Sequence, residues 1–139
     1  MFLIDTNVVS ELRRPARADP RVVAWARDVV PADLFVSVVT VLEIEVGVLL
    51  IERRDVVQGA TLRGWLEHQL LPAFDGRILP IDTAVARRCA ALHVPDPKAE
   101  RDALIAATAL VHRLIVVTRN VVDFETMGVP LLDPWNVNG

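Results

Sequence analysis

Four acidic residues of this sequence stand where a carboxylate is either costly or well aimed. Asp5 ends the apolar run Phe2-Leu3-Ile4, and Asp123 follows the apolar run Leu114 to Thr118 by a few residues. Both runs are too short and too apolar for helices and read as strands. In open parallel sheets, ligands bind in the crevice beyond the carboxyl ends of the strands, so two carboxylates delivered there make a candidate site. Aspartate also serves in turns and caps, and each of these two alone keeps that second reading. Asp102 says more. On a helix its same-face neighbours are Ile105, Ala106, Ala109 and Leu110, the spacing of a buried stripe. An aspartate that continues an apolar face is costly unless it is paired, capped or bound to a cation. A place in the first turn, favoured by the helix dipole, is the plainer explanation, but the adjacent Glu100 already fills that role.

Glu43 has two readings. Thr40-Val41-Leu42-Glu43 fits a capping box, in which the glutamate reaches back to the cap amide. Its helical neighbours Val39, Val46, Gly47 and Leu50 are nevertheless apolar, and Gly47 would admit something close. Glu45 has similarly apolar neighbours, so periodicity does not choose between the two glutamates. Acids without partner histidines suit a hard cation, Mg2+ or Mn2+, whereas zinc favours His and Cys. His68, His93 and His112 have no ligand spacing and read as surface or helix-end residues. Cys89, the single cysteine, reads as a buried small hydrophobe and excludes an internal disulfide. No nucleophile elbow and no P-loop is present.

The elements that must carry these residues alternate short apolar runs with helical segments, the pattern of an α/β domain with a parallel sheet. Strands are expected at Phe2 to Asp5, Leu34 to Ser37, Ile78 to Ile81, Leu114 to Thr118 and, as a last edge strand, Leu131-Leu132. Thr6-Asn7 offers a cap for a helix over Val8 to Leu12, and Asp19-Pro20 starts another that runs to about Val29. Helices follow from Thr40 to about Arg53, and from Asp55 to about Leu71, closed by Pro72. An Asp82-capped helix runs to Leu92, and a last long helix starts at Asp96-Pro97 and reaches His112. Trp25 and Trp65 read as core or interface residues, and Trp135 as a pin for the C-terminal tail.

The chain has 139 residues, the size of one domain over 1–139. Hydrophobic residues make up 53% but aromatics only 5%, so the core must be built from Val, Leu, Ile and Ala. Fifteen basic and 18 acidic residues give a net charge of −3, which argues against tight sequence-independent duplex binding. No apolar stretch approaches the roughly 18 residues of a membrane span, and Met1 followed directly by Phe2-Leu3-Ile4-Asp5 does not read as a secretory signal. The chain is cytosolic in character.

The four acids lie in segments that resemble the PIN-domain family, specifically the VapC toxins and their FitB-like relatives. The resemblance covers nearly the whole chain. It rests on Asp5-Thr6-Asn7 after the first strand, on Glu43 four residues before Gly47, on Asp102-Ala103-Leu104-Ile105-Ala106-Ala107-Thr108-Ala109, and on Thr118-Arg119-Asn120-Val121-Val122-Asp123-Phe124. It implies a three-layer α/β/α sandwich with a central, mostly parallel sheet, and it selects Glu43 over Glu45. It also implies a Mg2+-dependent endoribonuclease (Mn2+ substituting), the toxin of a type II toxin–antitoxin pair. Asp5, Glu43, Asp102 and Asp123 would form the catalytic metal site, with Thr6, Thr118 and Asn120 orienting the carboxylates or the scissile phosphate. Products would carry a 5′-phosphate and a 3′-hydroxyl. One departure is Arg113, where glycine or asparagine often ends the long helix in a left-handed conformation.

The partners implied are RNA, a VapB-like antitoxin and a second copy of the chain, with a larger toxin–antitoxin assembly on DNA as an extension. The helix after Asp55, with Val56, Leu62, Trp65, Leu66 and Leu70, carries more apolar residues than one face needs, which fits a homodimer and a groove for the antitoxin. Alternatives are a PIN-domain partner of a DNA-binding regulator and a PIN nuclease that is not a toxin. A phospho-acceptor receiver domain fits poorly, because the only lysine is Lys98 and Thr6 follows Asp5. If the site is real, the four carboxyl groups converge at one sheet edge, and at least one has a raised pKa. Two oxygens sharing one ion would lie within about 4 Å.

Overall fold

The computed structural model describes residues 1–136. Strands β1 (Phe2–Ile4), β2 (Leu34–Ser37), β3 (Ile78–Leu79), β4 (Ile115–Val117) and β5 (Leu131–Leu132) form one sheet in the order β3-β2-β1-β4-β5. Every neighbouring pair is parallel, with Phe2 opposite Leu34 on one side and Ile115 on the other. Parallel neighbours need crossovers, supplied by α1 (Thr6–Leu12), α2 (Pro20–Asp28), α3 (Val38–Arg54), α4 (Val56–Trp65), the short α5 (Leu71–Ala73), α6 (Thr83–Leu92), α7 (Glu100–His112) and α8 (Val121–Phe124).

Alternation along the strands distributes these helices over two faces. Ile4, Val36 and Val117 point to one side and pack with Val8, Val22, Ile44, Val48 and Leu66 of the α1 to α4 half. Leu3 and Val116 point to the other and pack with Ile105, Ala106 and Ala109 of α7 and Phe124 of α8. On the far side of α7, Ala103 and Ala107 receive Val85 and Cys89 of α6. The result is the three-layer sandwich, and its core is aliphatic, as the composition requires. Trp135 is buried in the first of these clusters, as expected of a residue that pins the tail.

Several boundaries differ from the sequence expectation for identifiable reasons. α3 begins at Val38, not Thr40, because the buried Ser37 accepts the Val39 amide at 3.0 Å and is the cap. Asp5, rather than Thr6-Asn7, caps α1. α7 begins at Glu100, not Asp96-Pro97, since the Lys98 amide is committed to His93 Nδ1 at 3.0 Å and holds residues 93–98 as a loop. Pro72 does not close the α4 segment. The chain widens into a π-turn over Leu66–Leu70 and continues through α5; widening relieves the clash of a proline ring with the preceding turn. β3 stops at Leu79, before Pro80. Arg113 takes the left-handed conformation, φ 58°, that its place at the end of α7 demands.

The apolar surplus also lies elsewhere than expected. Among the residues singled out after Asp55, only Val56 is exposed; Leu66 and Leu70 are buried. The exposed aliphatics gather on α3, at Leu42, Val46, Leu49 and Leu50. α3 and α4 are held together by Arg63, which pairs with Glu45 at 2.6 Å and Glu52 at 2.9 Å, and by a close approach at Gly59. A Cβ there would stand 2.7 Å from the Glu52 Cα. Gly59→Ala is therefore expected to destabilise the protein by about 1–3 kcal/mol, read as a lowered Tm, although alanine is the better helix former.

Candidate functional site

The strand order reverses at β1: the chain leaves it for β2 on one side and later returns as β4 on the other. The crevice at the carboxyl ends of β1 and β4 is thus the topological switch point. Asp5 occupies it, its amide donating to Val117 O at 2.9 Å. Its side chain is buried, and three donors replace the water it has lost. The Thr6 amide donates to Oδ1 at 2.8 Å, and Thr118 Oγ1 and Asn7 Nδ2 donate to Oδ2 at 2.8 and 3.1 Å. Burial raises the Asp5 pKa and so does the Glu43 charge, while the three hydrogen bonds pull it back.

Thr118 is fully buried; its hydroxyl also accepts the Asn120 amide at 3.0 Å. The Asn120 side chain makes no hydrogen bond among the described residues and lies exposed at the mouth of the crevice. Asn7 was read only as part of a helix cap, yet it joins the two strand ends. Its Nδ2 donates to Asp5 and Thr118, and its Oδ1 accepts the Arg119 amide at 3.1 Å. The available signal was a third polar residue directly after Asp5-Thr6 at the start of an otherwise apolar helix.

Glu43 does not close a capping box, because Ser37 is already the cap. Instead Thr6 Oγ1 donates to its Oε1 at 2.8 Å. Having one hydrogen, the Thr6 hydroxyl accepts from Thr40 Oγ1, 3.1 Å away. Arg101 of α7 reaches Glu43 Oε2 at 3.7 Å across the crevice; this contact, and that of Thr40, was not foreseen from sequence. Glu45 turns the other way, to Arg63. The two glutamates that periodicity left equivalent thus face different elements.

Asp102, in the first turn of α7, is half-buried beside Ala106 and makes no hydrogen bond among the described residues. Its pKa is pushed up to about 6, first by burial and then by the charges of Asp5, Asp123 and Glu43. All four acids therefore share one electrostatic neighbourhood. Asp123, on α8, is its exposed member. Among the described residues, no three of these acids bring ligand oxygens within 4.8 Å of one another. The one trio that close is Cys89, His93 and Glu100. There the Lys98 amide donates to His93 Nδ1, which places the ring proton on Nε2, facing Glu100 Oε2 at 3.3 Å. No ring lone pair is left for a cation.

The raised pKa of Asp102 sets a sign. Below about 4 the group is protonated whether folded or not and contributes nothing. As pH rises through about 6, the folded protein must ionise it against its neighbours and loses stability relative to the unfolded chain. With chelator present, Asp102→Asn is expected to have a higher Tm than wild type at pH 7.5, and this gain should disappear by pH 4. A gain independent of pH would show that Asp102 is not under like-charge strain.

The PIN-domain family model matches residues 2–128. The chain is 39% identical over 145 residues to toxin FitB of Neisseria gonorrhoeae (strain ATCC 700825 / FA 1090), covering 98% of this chain and 99% of that protein. It is 35% identical over 143 residues to VapC ribonuclease Y4jK of Sinorhizobium fredii (strain NBRC 101917 / NGR234), covering 97% and 98%. Among solved structures, FitAB bound to an IR36 DNA fragment superposes with a TM-score of 0.89 at 36% identity, over 100% of this chain and 99% of that one. The chain belongs to the PIN-domain family.

Proposed function

We propose that this protein is a divalent-metal-dependent endoribonuclease and the toxin of a toxin–antitoxin pair, with Asp5, Glu43, Asp102 and Asp123 as its catalytic, metal-holding residues. The observation that carries the reading is Asp102: a half-buried carboxylate with no hydrogen-bonded partner, whose charge is opposed by three other acids. Such a group is costly in a protein that never meets a cation. The donor set is all oxygen, with no histidine or cysteine among the four, and fits Mg2+ or Mn2+ rather than zinc. Residue type and crowding of charge, together with a relative named as a VapC ribonuclease, support it.

When bound, the ion would polarise a phosphate oxygen and lower the pKa of a coordinated water. The chain supplies rigidity and orientation. Asp5 is fixed by Thr6, Asn7 and Thr118, so its carboxylate needs no reorganisation when charge develops nearby. Thr6 holds one oxygen of Glu43, leaving the other to Arg101. Thr118 acts through Asp5, and the exposed Asn120 amide is available to a scissile phosphate. A cognate antitoxin, a homodimer and a cytoplasmic location belong to the same reading. Among the described residues no helix is long and apolar enough to cross a membrane. A second reading, a regulator acting on DNA with its partner, is favoured by the relative solved as FitAB on a DNA fragment; it is compatible with nuclease activity.

Asp5→Ala and Asp102→Asn are each expected to lower Mn2+-supported cleavage of RNA about 10²-fold or more, and EDTA should abolish it. Full activity in either variant, or activity indifferent to EDTA, refutes the proposal. Protons and metal compete for Asp102. The rise in Tm produced by Mn2+ should therefore be larger at pH 7 than at pH 5, and it should be strongly reduced in Asp102→Asn.

A further inference from the structure

Arg101 is the second residue of α7 and directly precedes Asp102, yet the carboxylate it reaches is that of Glu43 on α3. Its Nη1 lies 3.7 Å from Glu43 Oε2. Among the described residues, no other basic side chain comes within 4 Å of Asp5, Glu43, Asp102 or Asp123. Position distinguishes Arg101, since most arginines of this chain stand away from the four acids.

The contact is a poor brace. Where this fold uses an arginine structurally, the guanidinium stands at hydrogen-bond distance. Arg63 meets Glu45 at 2.6 Å and Glu52 at 2.9 Å, and Arg77 donates to the Pro31 and Leu34 carbonyls at 2.6 Å each. The Arg101–Glu43 contact at 3.7 Å is beyond that range, and the Arg101 guanidinium donates no hydrogen bond among the described residues. Arg101 is half-exposed, so the pair adds little to stability. It also lies in the first turn of α7, where the helix dipole opposes a cation and no side chain caps the helix. Folding alone gives little reason for a cation there, with its donors free, beside four carboxylates.

We propose that Arg101 is the phosphate-binding residue of the acidic site, and that its guanidinium and the divalent cation compete for Glu43. The assignment rests on the nuclease reading, which gives Glu43 to the cation. One oxygen of Glu43 is already held by Thr6 Oγ1 at 2.8 Å, so Arg101 and a cation draw on the same remaining oxygen. A guanidinium released from Glu43 keeps its reach into the crevice, and its planar fork fits two oxygens of a phosphodiester. There it opposes the negative charge that gathers on those oxygens as the bond from water to phosphorus forms and the P–O3′ bond breaks. Lysine would supply the charge without the fork.

Arg101→Gln and Arg101→Lys test this in the full chain. Both substitutes are good helix formers, and Tm in EDTA is the control for folding. Mn2+ binding without RNA is followed by electron paramagnetic resonance of the free ion. Cleavage is followed by initial rates on a fluorescein-labelled mixed-sequence oligoribonucleotide at saturating Mn2+. Arg101→Gln is expected to bind Mn2+ about threefold more tightly, the effect of removing one nearby screened charge. It should nevertheless lose about 10²-fold in kcat, with Tm in EDTA unchanged. Arg101→Lys should keep the wild-type Mn2+ affinity and recover only part of kcat. A brace between α7 and α3 would instead lower Tm, metal affinity and kcat together. Cleavage by Arg101→Gln at the wild-type rate, or Mn2+ affinity that is unchanged or lowered, overturns the proposal. Wild-type protein that cleaves no RNA with Mn2+ refutes the nuclease reading itself, and the Arg101 assignment falls with it.

Discussion

Burying a carboxylate costs several kcal/mol unless donors take the place of its water, and the solution at Asp5 organises much of this fold. One donor, the Thr6 amide, comes with the start of α1. The other two, from Asn7 and Thr118, meet only because β1 and β4 are sheet neighbours although their residues lie more than a hundred positions apart. The Asn7 amide then ties the Arg119 backbone to the same point. The parallel order with β1 at its centre is thus the condition under which Asp5 can be buried and ionisable at once.

Around that fixed carboxylate the structure gathers further negative charge. Glu43 enters from α3, Asp102 from α7 and Asp123 from α8, and the cost is visible in the pKa of Asp102. Partial offsets are local. Arg101 lies near Glu43, and the free amides at the start of α7, which has no side-chain cap at Ala99, place a positive helix end beside Asp102. Neither forms a hydrogen-bonded pair with Asp102 itself. Stability is given up at one edge of the sheet, while the aliphatic layers behind it carry no such conflict. This is the separation expected where a site rather than a core dictates residue choice.

The same separation explains what could be read without coordinates. Apolar runs of two to five residues announced the strands, and Asp102 stood out because it interrupts a buried stripe. α3 defeated periodicity because Leu42, Val46 and Leu49 continue its apolar character onto the exposed side, so Glu43 and Glu45 looked alike. Only their long-range partners, Thr6 and Arg63, distinguish them. Asn7 was missed for a related reason: its value lies in joining two strand ends, and local sequence shows only a polar residue near a helix start. Thr40 was the expected cap, and Ser37 takes its place because β2 ends there. The loop before α7 hid its true start, because a proline after an aspartate is an equally good helix opening and the competing bond from Lys98 to His93 is not a sequence pattern.

Net charge proved a poor guide to what the surface can meet. The formal value of −3 averages the four acids at the sheet edge with arginines that lie just past the end of α1 and at the end of α3. At physiological ionic strength charges are screened over about 8 Å, so groups about 16 Å apart on one helix present nearly independent fields. Four carboxylates repel a phosphate unless a cation stands between them, whereas Arg54 attracts one at any metal concentration. A polyanion approaching this face is therefore met first by arginines such as Arg13 and Arg54. Its closest approach to Asp5 and Asp102 waits on neutralisation of the acids, so under the proposed function an ion there would be a condition of substrate placement as well as of chemistry.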